Sequence, residues 1–212
     1  MSLLLRAILA AADAVEAARE PLCALDAAAG DGDHGVTMAI GARNVRRQLE
    51  SVPDDPEQLL RRTAQAMGAV GGAIGPLYAR ALLAIAAEAA GRPRGQAVSV
   101  SDLRRCADVA ASAVAGIGGA KAGDKTVLDA LLPARDALVA AETSGASIDE
   151  AVRGAAEASR LGAEATAELI ASAGRAARLG ERSRGQADAG ATSLSIILDA
   201  LATTVTEECP AP

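Results

Sequence analysis

The chain has to build its hydrophobic core almost without aromatic side chains. Half of its 212 residues are apolar, yet it contains no Phe, no Trp and a single Tyr, Tyr78. The core is therefore aliphatic and rich in Ala, which has the highest helix propensity, whereas strands favour β-branched and aromatic residues. This composition predicts an all-α protein whose small side chains let the helices pack closely.

Apolar residues recur at helical spacing along most of the chain. Two start signals support the segmentation: Asp55 before Pro56, and the Ser147–Glu150 capping box. Pro133 falls inside one predicted helix, so that helix either kinks there or has other bounds. We predict one helical domain over residues 1–212, an up-and-down bundle. Its helices are expected at residues 3–18, 35–50, 56–72, 76–90, 101–117, 125–143, 147–173 and 190–207.

The overall charge argues against nucleic acid as a partner. The net charge is −6 and the isoelectric point is near 4.9, so an anion would need a local device such as a metal ion or a helix N-terminus. Cys23, Cys106 and Cys209 are too scattered for a disulfide framework or a zinc site. No stretch approaches the ~20 apolar residues of a membrane span. We expect a soluble, cytoplasmic protein without a membrane partner.

Four connections between the predicted helices are rich in Gly and Asp. They follow the first, third, fifth and seventh helices, at residues 27–35, 69–76, 116–124 and 179–190. In an up-and-down bundle, alternate connections lie at the same end. Because binding residues concentrate on loops held by a rigid scaffold, we expect a site at that rim.

The first connection belongs to what we call the aspartate turn, residues 26–35. Asp26, Asp31 and Asp33 lie within eight residues of one another, so their carboxylates repel each other unless a cation joins them. Magnesium prefers oxygen ligands and shares phosphate oxygens with a substrate. The sequence therefore predicts a magnesium–nucleotide complex on this turn, used for phosphoryl transfer.

The residues of the aspartate turn also bear on two alternatives to a magnesium site. A calcium EF-hand starting at Asp31 fails, because Gly35 and Ala42 stand where oxygen ligands are needed. A solvated turn whose aspartates only cap helices remains an alternative. His34 is the only histidine, and its position favours a hydrogen bond to phosphate over a role as catalytic base.

The other three connections carry weaker signals. Residues 71–76 can present backbone amides to an anion, and residues 118–126 do not match a Walker A loop. Lys121 and Lys125 lie either near phosphate or in solvent. Residues 180–190 form a long, charged connection, as in a lid, with Arg175 reaching in from the preceding helix.

Four motifs together resemble a known family. In chain order they are GDGDHG, GGAIGPLY, GDKTVLDALLPA and GRAARLGERSRGQADAGATS. They resemble the nucleotide-binding L subunit of dihydroxyacetone kinases, a domain that also forms the C-terminal part of single-chain, ATP-dependent members. The resemblance spans residues ~20–200 with family-like spacing.

The resemblance implies an antiparallel eight-helix barrel with ADP or ATP at one rim. It implies that Asp26, Asp31 and Asp33 bind Mg²⁺ between the protein and the phosphates. The implied nucleotide contacts are His34, Gly35, Thr37, Ala73, Ile74, Gly118, Val127, Arg175, Asp188, Ala189 and Gly190. Two departures stand out: Ile74 replaces a serine of the family pattern, and Gln186 and Ala189 replace a histidine and a proline.

The same resemblance implies partners. A separate subunit would hold dihydroxyacetone or a related short ketose, so this chain would be inactive alone. The phosphoryl donor would be either ATP that exchanges or a phosphotransferase-system subunit that recharges bound ADP. Two alternatives remain: the nucleotide domain of a related kinase with another acceptor, such as a fatty-acid kinase, and a regulatory module that reports its nucleotide state to a partner.

Overall fold

A computed structural model describes residues 1–92 and 96–208, and all regular structure in these ranges is helical. The predicted all-α class is confirmed. Two short 3-10 segments, Thr166–Glu168 and Ala176–Ser183, lie between the last two α-helices. Within the described ranges, the α-helices are α1 (Leu3–Ala17), α2 (Arg19–Ala29), α3 (His34–Leu49), α4 (Pro56–Gly68), α5 (Ile74–Ala90), α6 (Val100–Ala115), α7 (Leu128–Ser144), α8 (Ile148–Ala165) and α9 (Ala189–Glu208).

All of these helices except α2 form a closed ring. α1 packs against α3, each of α3 to α8 packs against the next helix, and α9 returns to α1. From α3 to α9 each ring neighbour is also the next α-helix in the chain, and these consecutive neighbours run antiparallel. The N-termini of α3, α5, α7 and α9 therefore lie at one end, as in the antiparallel eight-helix barrel that the resemblance implies.

Helix α2 was not predicted. It follows α1 after the single residue Ala18 and packs mainly against α3 and α9. Pro21 explains the break, because it lacks the N–H that would bond to Ala17 and its ring crowds that carbonyl. In the first turn of a new helix the same proline is tolerated.

Three predicted helix boundaries differ from the structure by three residues or more. α4 ends at Gly68 instead of residue 72. α8 ends at Ala165 instead of residue 173; the Thr166 hydroxyl donates to the Ala163 carbonyl at 2.5 Å and competes with helical pairing. α7 begins at Leu128 instead of residue 125, because Lys125 has a left-handed φ of 61°. Pro133 nevertheless remains inside α7.

Pro133 lies where α7 and α8 approach each other closely. It has no N–H to donate to the Asp129 carbonyl four residues earlier. A Cβ on Gly162 of α8 would lie 2.3 Å from this carbonyl oxygen and 3.0 Å from Pro133 Cγ. Only glycine therefore permits this contact between the two helices.

Helix α9 combines a core position with a strongly apolar composition. Ala189–Glu207 is long enough to span a membrane and has a mean hydropathy of 1.3, so the expectation that no stretch approaches such a span was wrong. In the ring, α9 packs between α8 and α1, with Ala191 and Leu194 buried in an aliphatic cluster. Cys23 and Cys106 are free and half-buried, and Cys209 lies outside the described residues.

Candidate functional site at the rim of the ring

Helices α2 and α3 take up most of the aspartate turn, residues 26–35. Asp26 lies in the last turn of α2 and His34 begins α3, so only residues 30–33 lie between the helices. Asp26 Oδ2 accepts the backbone N–H of Asp33 at 3.0 Å and of His34 at 3.3 Å. Asp26 thereby caps the N-terminus of α3.

The three aspartates of the turn converge. Asp26, Asp31 and Asp33 each offer a carboxylate oxygen within 4.8 Å of the others. The Arg175 guanidinium donates to Asp31 Oδ2, and its Nη2 donates to Asp33 Oδ1 at 3.3 Å. Three hard oxygen donors around one point fit Mg²⁺, and the guanidinium shows that the cluster accepts a positive charge.

The arginine bridge is weak enough to be displaced. The Arg175, Asp31 and Asp33 side chains are 53–57 % exposed, and exposed ion pairs contribute only about 0–1 kcal/mol. Desolvation raises the pKa of Asp31, but hydrogen bonding to Asp33 and the charge of Arg175 outweigh it. The net pKa lies below the usual value, so Asp31 is ionised at neutral pH and available to a metal.

His34 is buried behind the aspartates in a polar network. Its Nε2 lies 3.0 Å from Ser193 Oγ, which donates to the Gly190 carbonyl at 3.0 Å and lies 3.5 Å from the Tyr78 hydroxyl. Burial lowers the pKa of His34 despite the opposing charges of Asp26 and Asp33. A neutral ring that donates to Ser193 through Nε2 has only an acceptor at Nδ1. The predicted hydrogen bond from His34 to a phosphate oxygen therefore needs a proton on Nδ1. Sequence analysis missed Ser193, which lies 159 positions from His34.

The second connection places backbone amides at the same rim. Gly72 has a φ of 74°, which glycine adopts without strain, and α5 begins at Ile74 after Ala73. Alanine has no side-chain acceptor, so the first amides of α5 remain available to an anion. The Ile74 side chain packs on the core cluster that includes Met38 and Met67, where the family serine would present a hydroxyl.

Lys125, directly after the third connection, is buried and lines the rim pocket, so the expectation that it lies in solvent was wrong. Its ammonium donates to the carbonyls of Leu169, Ser183 and Gln186 at 3.2, 2.5 and 2.7 Å. Burial lowers its pKa, and the charge of Asp188 opposes that shift. Lys121 is exposed.

Asp188 caps α9 from a half-buried position. Its Oδ2 accepts the Ala191 N–H at 2.7 Å, and its own N–H donates to Thr166 Oγ1 at 2.7 Å. Burial raises the pKa of Asp188 to about 6. Gly190 lies close by, since a Cβ there would be 3.0 Å from Asp188 Oδ2.

These parts surround one pocket of about 180 Å³ at the ring end where α3, α5, α7 and α9 begin. The first, second and fourth Gly- and Asp-rich connections contribute lining residues, whereas the third, residues 116–124, contributes none and only residues 125–127 after it line the pocket. The pocket brings together the predicted residues Asp26, Asp33, His34, Thr37, Ala73, Ile74, Val127, Arg175, Asp188, Ala189 and Gly190. Asp31 joins them through the carboxylate cluster.

Two predicted contacts lie elsewhere. Gly35 is buried against α2, where a Cβ would fall 2.0 Å from the Arg19 carbonyl oxygen. Gly118 is exposed, with a φ of 76°, and is not part of the pocket lining. Gly35 thus sets the spacing of α2 and α3, and the nucleotide contact implied for Gly118 would need a nucleotide that extends beyond the pocket.

A second groove, of about 330 Å³, lies between α8 and α9 and is lined by Arg153, Asp199 and Thr206 among others. Asp199 is ten residues along α9 from Ala189, or about 15 Å. This groove is therefore separate from the helix N-termini and the carboxylate cluster. The rim pocket is the candidate site on chemical grounds.

Comparison with known proteins identifies the family. The DAK2 domain family matches residues 28–203. The PEP-dependent dihydroxyacetone kinase 2, ADP-binding subunit DhaL, of Listeria innocua is 37% identical over 191 residues, covering 88% of this chain and 87% of that protein. The chain belongs to the DAK2 domain family.

Other relatives are about three times longer than the matched region. An L-erythrulose kinase of Pectobacterium atrosepticum is 38% identical over 199 residues, which cover 92% of this chain and 33% of the kinase. The structure of the dihydroxyacetone kinase from C. freundii in complex with AMP-PNP and Mg²⁺ matches with a TM-score of 0.71 and 27% identity. That match covers 96% of this chain and 34% of the C. freundii chain.

Proposed function

We propose that this chain is the nucleotide-binding subunit of a kinase for dihydroxyacetone or a related short ketose. The observation that carries the proposal is the convergence of Asp26, Asp31 and Asp33 with Arg175 at one rim of the ring. The ADP-binding subunit of L. innocua and the C. freundii kinase with AMP-PNP and Mg²⁺ support a nucleotide at this site. Residues 1–212 would act as one helical nucleotide-binding domain.

The three aspartates would hold Mg²⁺, and the nucleotide phosphates would lie toward the amides that begin α3, α5 and α9. Bound Mg²⁺ would neutralise charge on the transferring phosphoryl group, which leaves mainly positioning to the protein. Arg175 would move from the aspartates to the phosphates, since it pairs with anions from an exposed position. Thr37, Val127 and Asp188 would complete the lining.

The acceptor and the donor belong to partners in this proposal. A separate kinase subunit would hold the ketose, and the chain alone would not turn over substrate. Both dihydroxyacetone and erythrulose are acceptors in the names of relatives. A PEP-dependent relative favours bound ADP that a phosphotransferase-system subunit recharges, whereas the AMP-PNP complex favours ATP. The complex would work in the cytoplasm.

Reconstitution tests this function. The chain is mixed with a dihydroxyacetone-binding kinase subunit, and phosphorylation of dihydroxyacetone and erythrulose is measured with Mg-ATP or with a PEP-charged donor. We expect turnover only in the complete mixture, and loss of turnover in Asp31→Asn but not in Asp136→Asn, an exposed aspartate of α7. Tight binding of Mg-nucleotide without turnover in any mixture would favour the regulatory module. Absence of Mg-dependent nucleotide binding would refute both.

A further inference from the structure

Lys125 is a buried lysine in an unusual backbone conformation. Its exposed fraction is 4 %, and its φ of 61° lies in the left-handed region that residues other than glycine rarely adopt. Such a conformation persists only where the surrounding contacts impose it. A buried ammonium likewise requires partners for its donors.

The partners of Lys125 are all backbone carbonyls of one segment. We call residues 169–187 the arginine loop, because it carries Arg175, Arg178, Arg182 and Arg184. The Lys125 ammonium binds Leu169 at the start of this loop and Ser183 and Gln186 near its end, at 3.2, 2.5 and 2.7 Å. The three N–H donors of the ammonium match these three acceptors. One side chain thus ties both ends of the loop to the start of α7.

Neighbouring hydrogen bonds reinforce this connection. Ser172 donates through Oγ to Asp124 Oδ1 at 2.6 Å and through its N–H to the Asp124 carbonyl at 3.2 Å. Within the loop, Ser183 Oγ accepts the Ala171 N–H at 2.9 Å. Arg175 lies between these tied points, and its guanidinium reaches Asp31 and Asp33 across the pocket.

We propose that Lys125 is a positioning residue for nucleotide retention, which it controls by holding the arginine loop where Arg175 closes the site. The proposal rests on the proposed function of that site. Lys125 lines the pocket, but its three N–H donors are committed to carbonyls of the arginine loop, which leaves none for a phosphate. Replacing it should therefore speed nucleotide release and leave nucleotide association unchanged.

The first measurement tests the loop without nucleotide. Lys125→Met keeps the length of the side chain but removes the charge and all donors, and Lys121→Met changes an exposed lysine of the same connection. Trypsin cleavage after the four loop arginines is followed by mass spectrometry in both variants. We expect faster cleavage in Lys125→Met only; equal protection in both variants would overturn the clamp. If Lys125→Met does not fold, Ser172→Ala must show the same change to a smaller extent.

The second measurement tests retention. Dissociation of a fluorescent ADP with Mg²⁺ should be about 10- to 100-fold faster in Lys125→Met, the range expected when hydrogen bonds to a charged donor are lost. In an Arg175→Ala background the same substitution should have little effect, because the loop then has no arginine to position. An equal effect in both backgrounds would indicate general destabilisation and overturn the proposal.

Wild-type protein that fails to bind Mg-ADP would refute the proposed function; wild-type binding with unchanged release in Lys125→Met would refute only the positioning role.

Discussion

At the residue scale, Asp26 has two functions that can be separated. Its carboxylate caps α3 through the N–H groups of Asp33 and His34, and it contributes an oxygen to the carboxylate cluster. An asparagine can still accept the capping hydrogen bonds, but it lacks the negative charge that a divalent cation requires. The charge of Asp26 and its role as a cap can therefore be tested by different substitutions of this residue.

We expect Asp26→Asn to melt within about 2 °C of the wild type but to bind Mg-ADP at least about tenfold more weakly. Asp26→Ala should lose the same affinity and, in addition, about 1 kcal/mol of stability, because the cap is lost. Isothermal titration calorimetry and thermal unfolding provide the two measurements. Unchanged Mg-ADP affinity in Asp26→Asn would leave Asp26 as a cap only, which is the solvated-turn alternative.

The raised pKa of Asp188 predicts that the stability of the protein depends on pH. Burial raises its folded-state pKa to about 6, above about 3.9 in an unfolded chain. The folded protein therefore binds the Asp188 proton more tightly than the unfolded chain does. This difference stabilises the folded protein fully below pH ~4, and the stabilisation is lost as the pH rises through ~6. The loss amounts to at most about 3 kcal/mol, from a shift of about two pKa units.

Asp188→Asn isolates this effect, because asparagine can still accept the Ala191 N–H but does not ionise. We expect the variant to gain stability relative to wild type, by up to about 3 kcal/mol, as the pH rises from 4 to 7. Urea unfolding at several pH values gives both curves. Parallel curves would mean that Asp188 titrates near its ordinary pKa.

At the element scale, the contact between α2 and α3 positions the carboxylate cluster. Asp26 belongs to α2 and Asp33 precedes α3, so the separation of these helices sets the distance between the two carboxylates. Gly35 permits the approach, because any side chain there would meet the Arg19 carbonyl.

We expect Gly35→Ala to lower the stability by about 1–3 kcal/mol, the usual cost of overpacking, and to weaken Mg-ADP binding by moving α2 away from α3. Gly154→Ala in α8 is the matched control: that position is exposed and a Cβ there meets nothing within 4 Å. It should raise stability by up to about 1 kcal/mol through helix propensity. Thermal unfolding and calorimetry check both, and a neutral Gly35→Ala would contradict the close contact.

At the scale of the whole molecule, the closed ring directs four helix N-termini toward one end. Each N-terminus carries a partial positive charge, which compensates locally for the acidity of a chain with a net charge of −6. A ligand that bridges the loops of α3, α5, α7 and α9 would stabilise the ring as a unit.

We therefore expect Mg-ADP at 100 times its Kd to add about 2.7 kcal/mol to the free energy of unfolding, a Tm rise of about 5–10 °C for a chain of this size. EDTA should abolish the rise, since the phosphates would then face the uncompensated aspartates. Calorimetric scans with ADP, with and without Mg²⁺, make the comparison. A rise that survives EDTA would place the nucleotide away from the aspartate cluster.

The sequence by itself determined the helical class, every ring helix and the grouping of the unusual connections, because these follow from propensity and periodicity within short segments. It missed α2, since Pro21 reads as a break and only the packing shows that a new helix begins there. It overextended α8, because the Thr166 hydroxyl that helps to end the helix accepts from Asp188, 22 positions away.

At the site, the spacing of Asp26, Asp31 and Asp33 was enough to predict a cation-binding cluster, because short chain segments bring them together whatever the rest of the fold. Only the tertiary structure decided what surrounds that cluster. The contact of His34 with Ser193, the bridge from Arg175 and the burial of Lys125 join residues from opposite parts of the chain. Such contacts depend on how the ring closes, and ring closure has no local signal in the sequence.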